Sequence, residues 1–212
     1  MGRLETARVL DGLIVVGSWC MVLYQDYFRH TDYLPSIRTR DLDLLVPLPQ
    51  RFAGKVDLPS MLQGLGFVRN FHGDAGLITF QHPDLILEFL VPERGRGTST
   101  PTAVPALGVN AQALRFLDFL VEDAIRVEFQ GIVVRVPHPV NFALHKLIIA
   151  ARRKSDKGER DRAQAVQVLH TLVNCGEAGK IVARFASLPG KWQKAIRGAV
   201  ADLGEDGLLA LL

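Results

Sequence analysis

Residues 37–47 read IRTRDLDLLVP, and two aspartates interrupt what is otherwise a buried-strand pattern. Leu42, Leu44, Leu45 and Val46 suit a strand, whereas Asp is depleted there. Alternation puts Asp41 and Asp43 on one face, roughly 6 to 7 Å apart along the backbone. Neighbouring carboxylates repel unless a cation or a proton lies between them. A chain that retains such a pair inside an apolar run has a use for it.

The rest of the 212 residues is ordinary globular material, 48% hydrophobic and 22% charged, with a net charge of +3. So mild an excess does not by itself announce a nucleic-acid binder. Cys20 and Cys175 stand far apart, giving neither a disulfide framework nor a zinc signature, and a reducing cytoplasm is the expectation. Acidic residues break the opening run MGRLETARVLDGLIVVGSW, so a secretory signal is not expected. No apolar stretch reaches the ~18 residues of a membrane span, and no membrane partner is expected. His72, His82, His138 and His145 share no metal-ligand spacing, and none is assigned to zinc. No Gly-x-Gly-x-x-Gly, Walker-type loop or Gly-x-Ser-x-Gly elbow occurs.

LIVVGSW reads as a short buried strand entering a Gly-Ser turn, and WCMVLYQDYF as the helix after it. RDLDLLVPL is the next strand, closed by Pro47 and Pro49, which cannot donate to a ladder. LPSMLQGLGF reads as a helix with Ser60 near its start and Gly64 or Gly66 at its end. FVRNF, LITFQH and LILEFLVP are strands between turn-prone segments. Gly, Pro, Ser and Thr make Glu93 to Pro105 a surface loop. NAQALRFLDFLVEDA fits helix or strand equally. IRVEFQGIVVRVPHP signals a hairpin about Gln130-Gly131. After Pro139 the texture is helical. The pattern predicts an α+β chain, with a mixed-sheet core over 1–138 and a helical region over 139–212.

Three features carry chemistry. Gly17-Ser18 lies where a strand passes into a helix, whose first N–H groups suit an anion; a plain N-cap accounts for the same pair. Asp41 and Asp43 form the second feature. Glu88, embedded in LILEFLV, is the third, and a buried carboxylate needs a cation or a proton. Mg²⁺ (or Mn²⁺) meets all three requirements, since it takes oxygen ligands and binds through a few carboxylates plus substrate phosphates. Paired ions ~4 Å apart clamp the attacking and leaving oxygens of a phosphoryl displacement.

Taken together, GSW, then RTRDLDLLV, then the acid of LILEFL resemble the nucleotidyltransferase superfamily of the DNA polymerase β type. The stretch VPHPVNFALHKLIIAARRKSDKGERDRAQAVQVL further resembles uncharacterised bacterial nucleotidyltransferase-fold proteins. It is also similar to nucleotidyltransferase toxins of abortive-infection pairs. The resemblance implies an enzyme that moves NMP from a nucleoside triphosphate to a hydroxyl acceptor with release of pyrophosphate. It implies that Gly17 and Ser18 hold the phosphates, and that Asp41, Asp43 and Glu88 are the catalytic and metal-binding acids. Many relatives carry Asp where this chain has Glu88. Lys146 matches a helical lysine that reaches the nucleotide in the toxin relatives, with Asp161 a looser match to a polar partner further on.

Arg38 and Arg40 flank the aspartates. Arg40 is carried as a nucleotide contact, with pairing to an acid as its competing reading. For Lys146 the competing reading is a lysine that snorkels off an apolar helix. The segment ARRKSDKGERDR is rich in basic residues, and Arg152, Arg153 and Lys157 either extend an anion-binding surface or form a solvated face. The acceptor is unassigned, with RNA and protein both open. Two further readings stand beside the leading one: a non-catalytic nucleotide- or protein-binding module, and a toxin-type enzyme modifying tRNA.

Overall fold

The computed structural model describes residues 2–35, 39–72, 76–95, 100–153 and 156–212. The chain divides into two compact units, Met1–Tyr27 with Pro35–Pro137, and Phe28–Leu34 with His138–Leu212. Arg38 and part of the expected 93–105 loop lie outside the described residues.

In the first unit, helix α1 (Gly2–Thr6) precedes strand β1 (Ile14–Val16), a 3₁₀ turn over Gly17–Trp19 and helix α2 (Cys20–Tyr27). Strand β2 (Asp41–Leu45) and helix α3 (Leu58–Gln63) follow, then β3 (Val68–His72), β4 (Leu77–His82) and β5 (Leu85–Pro92). Next come β6 (Thr102–Val104), β7 (Val109–Leu114), α4 (Asp118–Val121), β8 (Ile125–Phe129) and β9 (Ile132–Val136). Asp57 caps α3 by accepting from the Ser60 N–H at 3.1 Å, so the capping oxygen comes from the residue before the helix. The ambiguous stretch after residue 109 is both things in turn, strand β7 and then helix α4. Within the expected 93–105 loop, Thr102–Val104 is a strand that pairs with β7.

The strands form a mixed sheet in the order β1-β2-β5-β4-β3. β2 runs parallel to β5 and antiparallel to β1, and β4 is antiparallel to both β5 and β3. β5 is eight residues long, and its far edge is shared: its first half pairs with β4, and its last three residues with β7. One face is apolar along its length, with Leu42, Leu44, Phe80, Leu87, Phe89 and Val91 buried. There Phe80 meets Phe89 edge to face at 6.2 Å, a favourable aromatic geometry. The other face changes character along the strands. Towards the C-terminal ends of β2 and β5, Leu45 and Leu90 join Ile14 and Val16 under Leu117 and Leu120 at α4.

β8 and β9 form the expected hairpin. Gln130 and Gly131 both take positive φ, 52° and 77°, as a two-residue turn matched to strand twist requires. α2 is tied to this hairpin region, since Tyr24 Oη donates to the Pro137 carbonyl at 2.9 Å and Asp26 accepts from the Glu128 N–H at 3.0 Å.

The second unit is helical: α5 (Pro139–Ala150), α6 (Asp156–Asn174), α7 (Ala178–Ala186), α8 (Gly190–Ala201) and α9 (Asp206–Leu211). His138 caps α5 and Pro139 opens it, a position where the missing N–H costs nothing. Every residue of α5 except Ile149 is buried, so it is the core helix, with α6, α7 and α8 packed on it. α6 is amphipathic by contrast and buries Gly158, Asp161, Ala165, Val168, Leu169 and Leu172, one stripe at helical spacing. Phe28 and Tyr33 pack ring to ring at 4.8 Å, and the Leu34 carbonyl accepts from Gln167 on α6 at 2.9 Å.

His145 is buried in α5, and its Nε2 has no hydrogen-bond partner among the described residues. Burial, then the charges of Lys146 and Arg153, push its pKa from 6.5 down to about 3. The imidazole therefore stays neutral in the folded chain while the unfolded chain takes up a proton. Its contribution to stability is fully present above pH 6.5 and is lost as pH falls towards about 3. Urea unfolding measured across that window is expected to show declining stability, and His145→Phe is expected to flatten the decline.

Candidate functional site

The sheet register assembles the acids. Val16 on β1 pairs with Asp43 on β2, Asp43 with Glu88 on β5, and Glu88 with Thr79 on β4. Residues paired across neighbouring strands project from the same face, with strands about 4.8 Å apart. Asp41, two residues before Asp43, shares that face. Asp41, Asp43 and Glu88 thus occupy the N-terminal half of the face whose other half is the apolar cluster under α4. Asp41 is exposed, and Asp43 and Glu88 are half-buried.

Gly17 adjoins this group. Its φ is +70°, and a Cβ placed on it would overlap Oδ2 of Asp43. The position demands glycine twice over, once for the left-handed backbone and once because the carboxylate occupies the space a side chain would take. Ser18 and Trp19 complete the 3₁₀ turn that leads into α2. The Gly-Ser turn and the Asp-x-Asp strand therefore meet at Gly17 and Asp43.

The other two candidate contacts are engaged elsewhere. Arg40 is exposed, and its Nη2 donates to the His82 carbonyl at 3.2 Å, bracing the end of β4. Lys146 is buried rather than snorkelling: only 5% of it is exposed. Its Nζ donates to Asp161 Oδ1 at 2.5 Å, while Arg153 donates to Oδ2 of the same carboxylate at 2.8 Å. Lys146 also lies 5.4 Å from the centre of the Phe142 ring. Sequence reasoning anticipated Asp161 only as a polar group further along the chain, not as the partner of Lys146.

The oxygen-only donor set on one face fits a hard divalent cation. Among the described residues, no three His, Cys, Asp or Glu side chains stand close enough together to hold a metal ion as they are. Phosphate oxygens of a bound nucleotide are the natural source of the remaining ligands. Thr79 is not among the residues expected from the sequence, and His72 is considered there only as a zinc ligand and not assigned. Thr79 sits on the acid-bearing face, buried, with its Oγ1 2.8 Å from His72 Nε2. The signal was the alternation of LITFQH, which sets Thr79 apart from its buried apolar neighbours Ile78 and Phe80.

A family model described as Nucleotidyltransferase matches residues 2–177. Comparison with curated proteins finds no match. Among solved structures, an antigenic nucleotidyltransferase-like protein from Paracoccidioides brasiliensis is similar at 15% identity and a TM-score of 0.47. That match covers 95% of this chain and 85% of the other. The antibiotic-resistance factor ANT(2'')-Ia is similar at 14% identity and a TM-score of 0.40, covering 92% and 86% of the two chains.

Gly17→Ala is expected to cost about 1–2 kcal/mol for the left-handed backbone alone, plus the displacement of Asp43. Chemical denaturation checks the first effect, and loss of metal-dependent nucleotide binding checks the second. Asp161→Ala leaves Lys146 charged and buried, and is expected to cost about 3–5 kcal/mol. Adding Lys146→Met to that variant is expected to recover much of the loss in the same unfolding experiment.

Proposed function

Because the chain belongs to the nucleotidyltransferase family, we propose that it is a Mg²⁺- or Mn²⁺-dependent enzyme moving NMP from a nucleoside triphosphate to a hydroxyl acceptor. The observation that carries this reading is the register pair Asp43–Glu88, with Asp41 on the same face and Gly17 against Asp43. Asp41, Asp43 and Glu88 would hold the metal, which when bound neutralises phosphate charge and draws the reacting oxygens into line. Gly17 and Ser18 receive the phosphates at the start of the 3₁₀ turn. The acceptor oxygen bonds to the α-phosphorus as the bond from that phosphorus to the bridging oxygen breaks, and pyrophosphate leaves. The acceptor's proton passes to Glu88 or to solvent. Catalysis of this kind is chiefly positioning and charge neutralisation.

The open half of the sheet face supports this reading. Leu117 and Leu120 at α4 cover the apolar half, and the carboxylate half stays partly exposed. Since the acids alone do not make a metal cage, metal and nucleotide should bind as a pair.

Thermal stability is to be followed with Mg²⁺ or Mn²⁺ against ATP, CTP, GTP and UTP. Stabilisation is expected only when both metal and a nucleotide are present. Asp43→Asn is expected to remove that response and nearly abolish pyrophosphate release, while leaving the unliganded melting temperature close to wild type. Full activity in Asp43→Asn would overturn the assignment. Stabilisation without pyrophosphate release would instead favour a nucleotide-binding module. Labelled nucleotide offered with a cell extract identifies the acceptor: label in RNA with growth arrest selects the toxin-type enzyme, and label in protein selects a protein modifier.

A further inference from the structure

We infer that Thr79, anchored by His72, is a positioning residue that orients the carboxylate of Glu88. The inference rests on the role proposed above for Glu88. Among the described residues, the buried polar or charged side chains are Thr79, Asn141, His145, Lys146 and Asp161, and Thr79 alone belongs to the first unit. A strand residue with no polar task would more economically be Val or Ile, because an unused buried hydroxyl costs free energy.

Two observations assign the task. His72 Nε2 lies 2.8 Å from Thr79 Oγ1, and Thr79 is the direct register partner of Glu88 across β4 and β5. Directly opposed residues of an antiparallel pair have Cβ atoms about 4.5–5.5 Å apart, within reach of a hydroxyl-to-carboxylate hydrogen bond. A threonine hydroxyl has one proton to give and lone pairs to accept with. With the proton of His72 on Nε2, the imidazole donates to Thr79 Oγ1, and the hydroxyl proton is left for the carboxylate beside it. In the other tautomer Thr79 donates to His72 and has nothing to offer Glu88. The residue on the other side of Thr79, Asn70, directs its amide to Gln81 at 2.8 Å, so it does not supply the anchor. His72, Thr79, Glu88 and Asp43 therefore form one polar row across four strands, running from the sheet's edge to the acids. The row sets the Thr79 hydroxyl, bonded to His72 in the metal-free protein, beside Glu88, where it can meet the carboxylate once metal and nucleotide draw that carboxylate into line.

The test is the Mn²⁺ concentration needed for half-maximal thermal stabilisation at saturating nucleotide. Thr79→Val, which keeps the shape and removes the hydroxyl, is expected to raise that midpoint on the order of tenfold, as befits loss of a hydrogen bond to a charged group. Thr79→Ser is expected to return it to within about twofold of wild type, a rescue that a packing role for the methyl would not give. His72→Phe is expected to shift it in the same direction as Thr79→Val, and it tests the row independently should Thr79→Val fold poorly. The metal-free melting temperature is expected to move little in Thr79→Ser. Wild-type midpoints in Thr79→Val or His72→Phe, or failure of serine to rescue, would overturn the inference while Asp43→Asn still abolished the response. Absence of any metal-and-nucleotide response in the wild-type protein would overturn the site itself, and this inference with it.

Discussion

The parallel pairing of β2 with β5 sets Asp43 and Glu88 side by side on neighbouring strands, and the rest of the first unit is arranged around that juxtaposition. Two like charges at strand spacing repel, so the pairing must be enforced from elsewhere. The opposite face enforces it: Leu42 and Leu44 lie beside Leu87 and Phe89 in the buried layer. A slip of one residue in either strand would carry acids into that layer and leucines into water. The hydrophobic layer thus fixes the electrostatic site, and the site cannot relax without dismantling the core.

Gly17 shows the same logic at the level of one residue. Its backbone turns the chain from β1 into the 3₁₀ segment, and its missing side chain leaves room for Asp43. Strand, turn and carboxylate occupy adjacent space because glycine permits both the conformation and the contact. The second unit handles charge differently. Asp161 draws Lys146 and Arg153 onto one carboxylate, satisfying a buried ammonium within the helical core.

Much of this was written locally in the chain. The strands about FVRNF, LITFQH and LILEFLVP, the hairpin at Gln130-Gly131 and the long helices after Pro139 follow from periodicity and turn chemistry that neighbouring residues share. The stretch after Val109 resisted because a strand and a short helix abut there, and a single period describes neither. β6 was hidden in a Pro- and Thr-rich segment, where the strand exists only because β7 offers an edge. Register lies beyond any local pattern. Alternation puts Asp41 and Asp43 on one face, but which residue of β5 stands beside them depends on the packing of both strands. The burial of Lys146 likewise depends on a residue in the following helix, and the place of Thr79 depends on β5 and β3 together.

The assignment of Phe28–Leu34 to the helical unit has a topological effect. The polypeptide leaves the sheet unit after Tyr27, contributes Phe28, Tyr33 and the Leu34 carbonyl to the helices, and returns at Pro35 before β2 is laid down. A single scission between Pro137 and His138 would therefore not yield two self-sufficient pieces. The amino-terminal fragment would carry a segment severed from its partner Gln167, and the carboxy-terminal fragment would lack it. Gene fusions or truncations that treat the helices as a detachable module have to supply that early excursion as well.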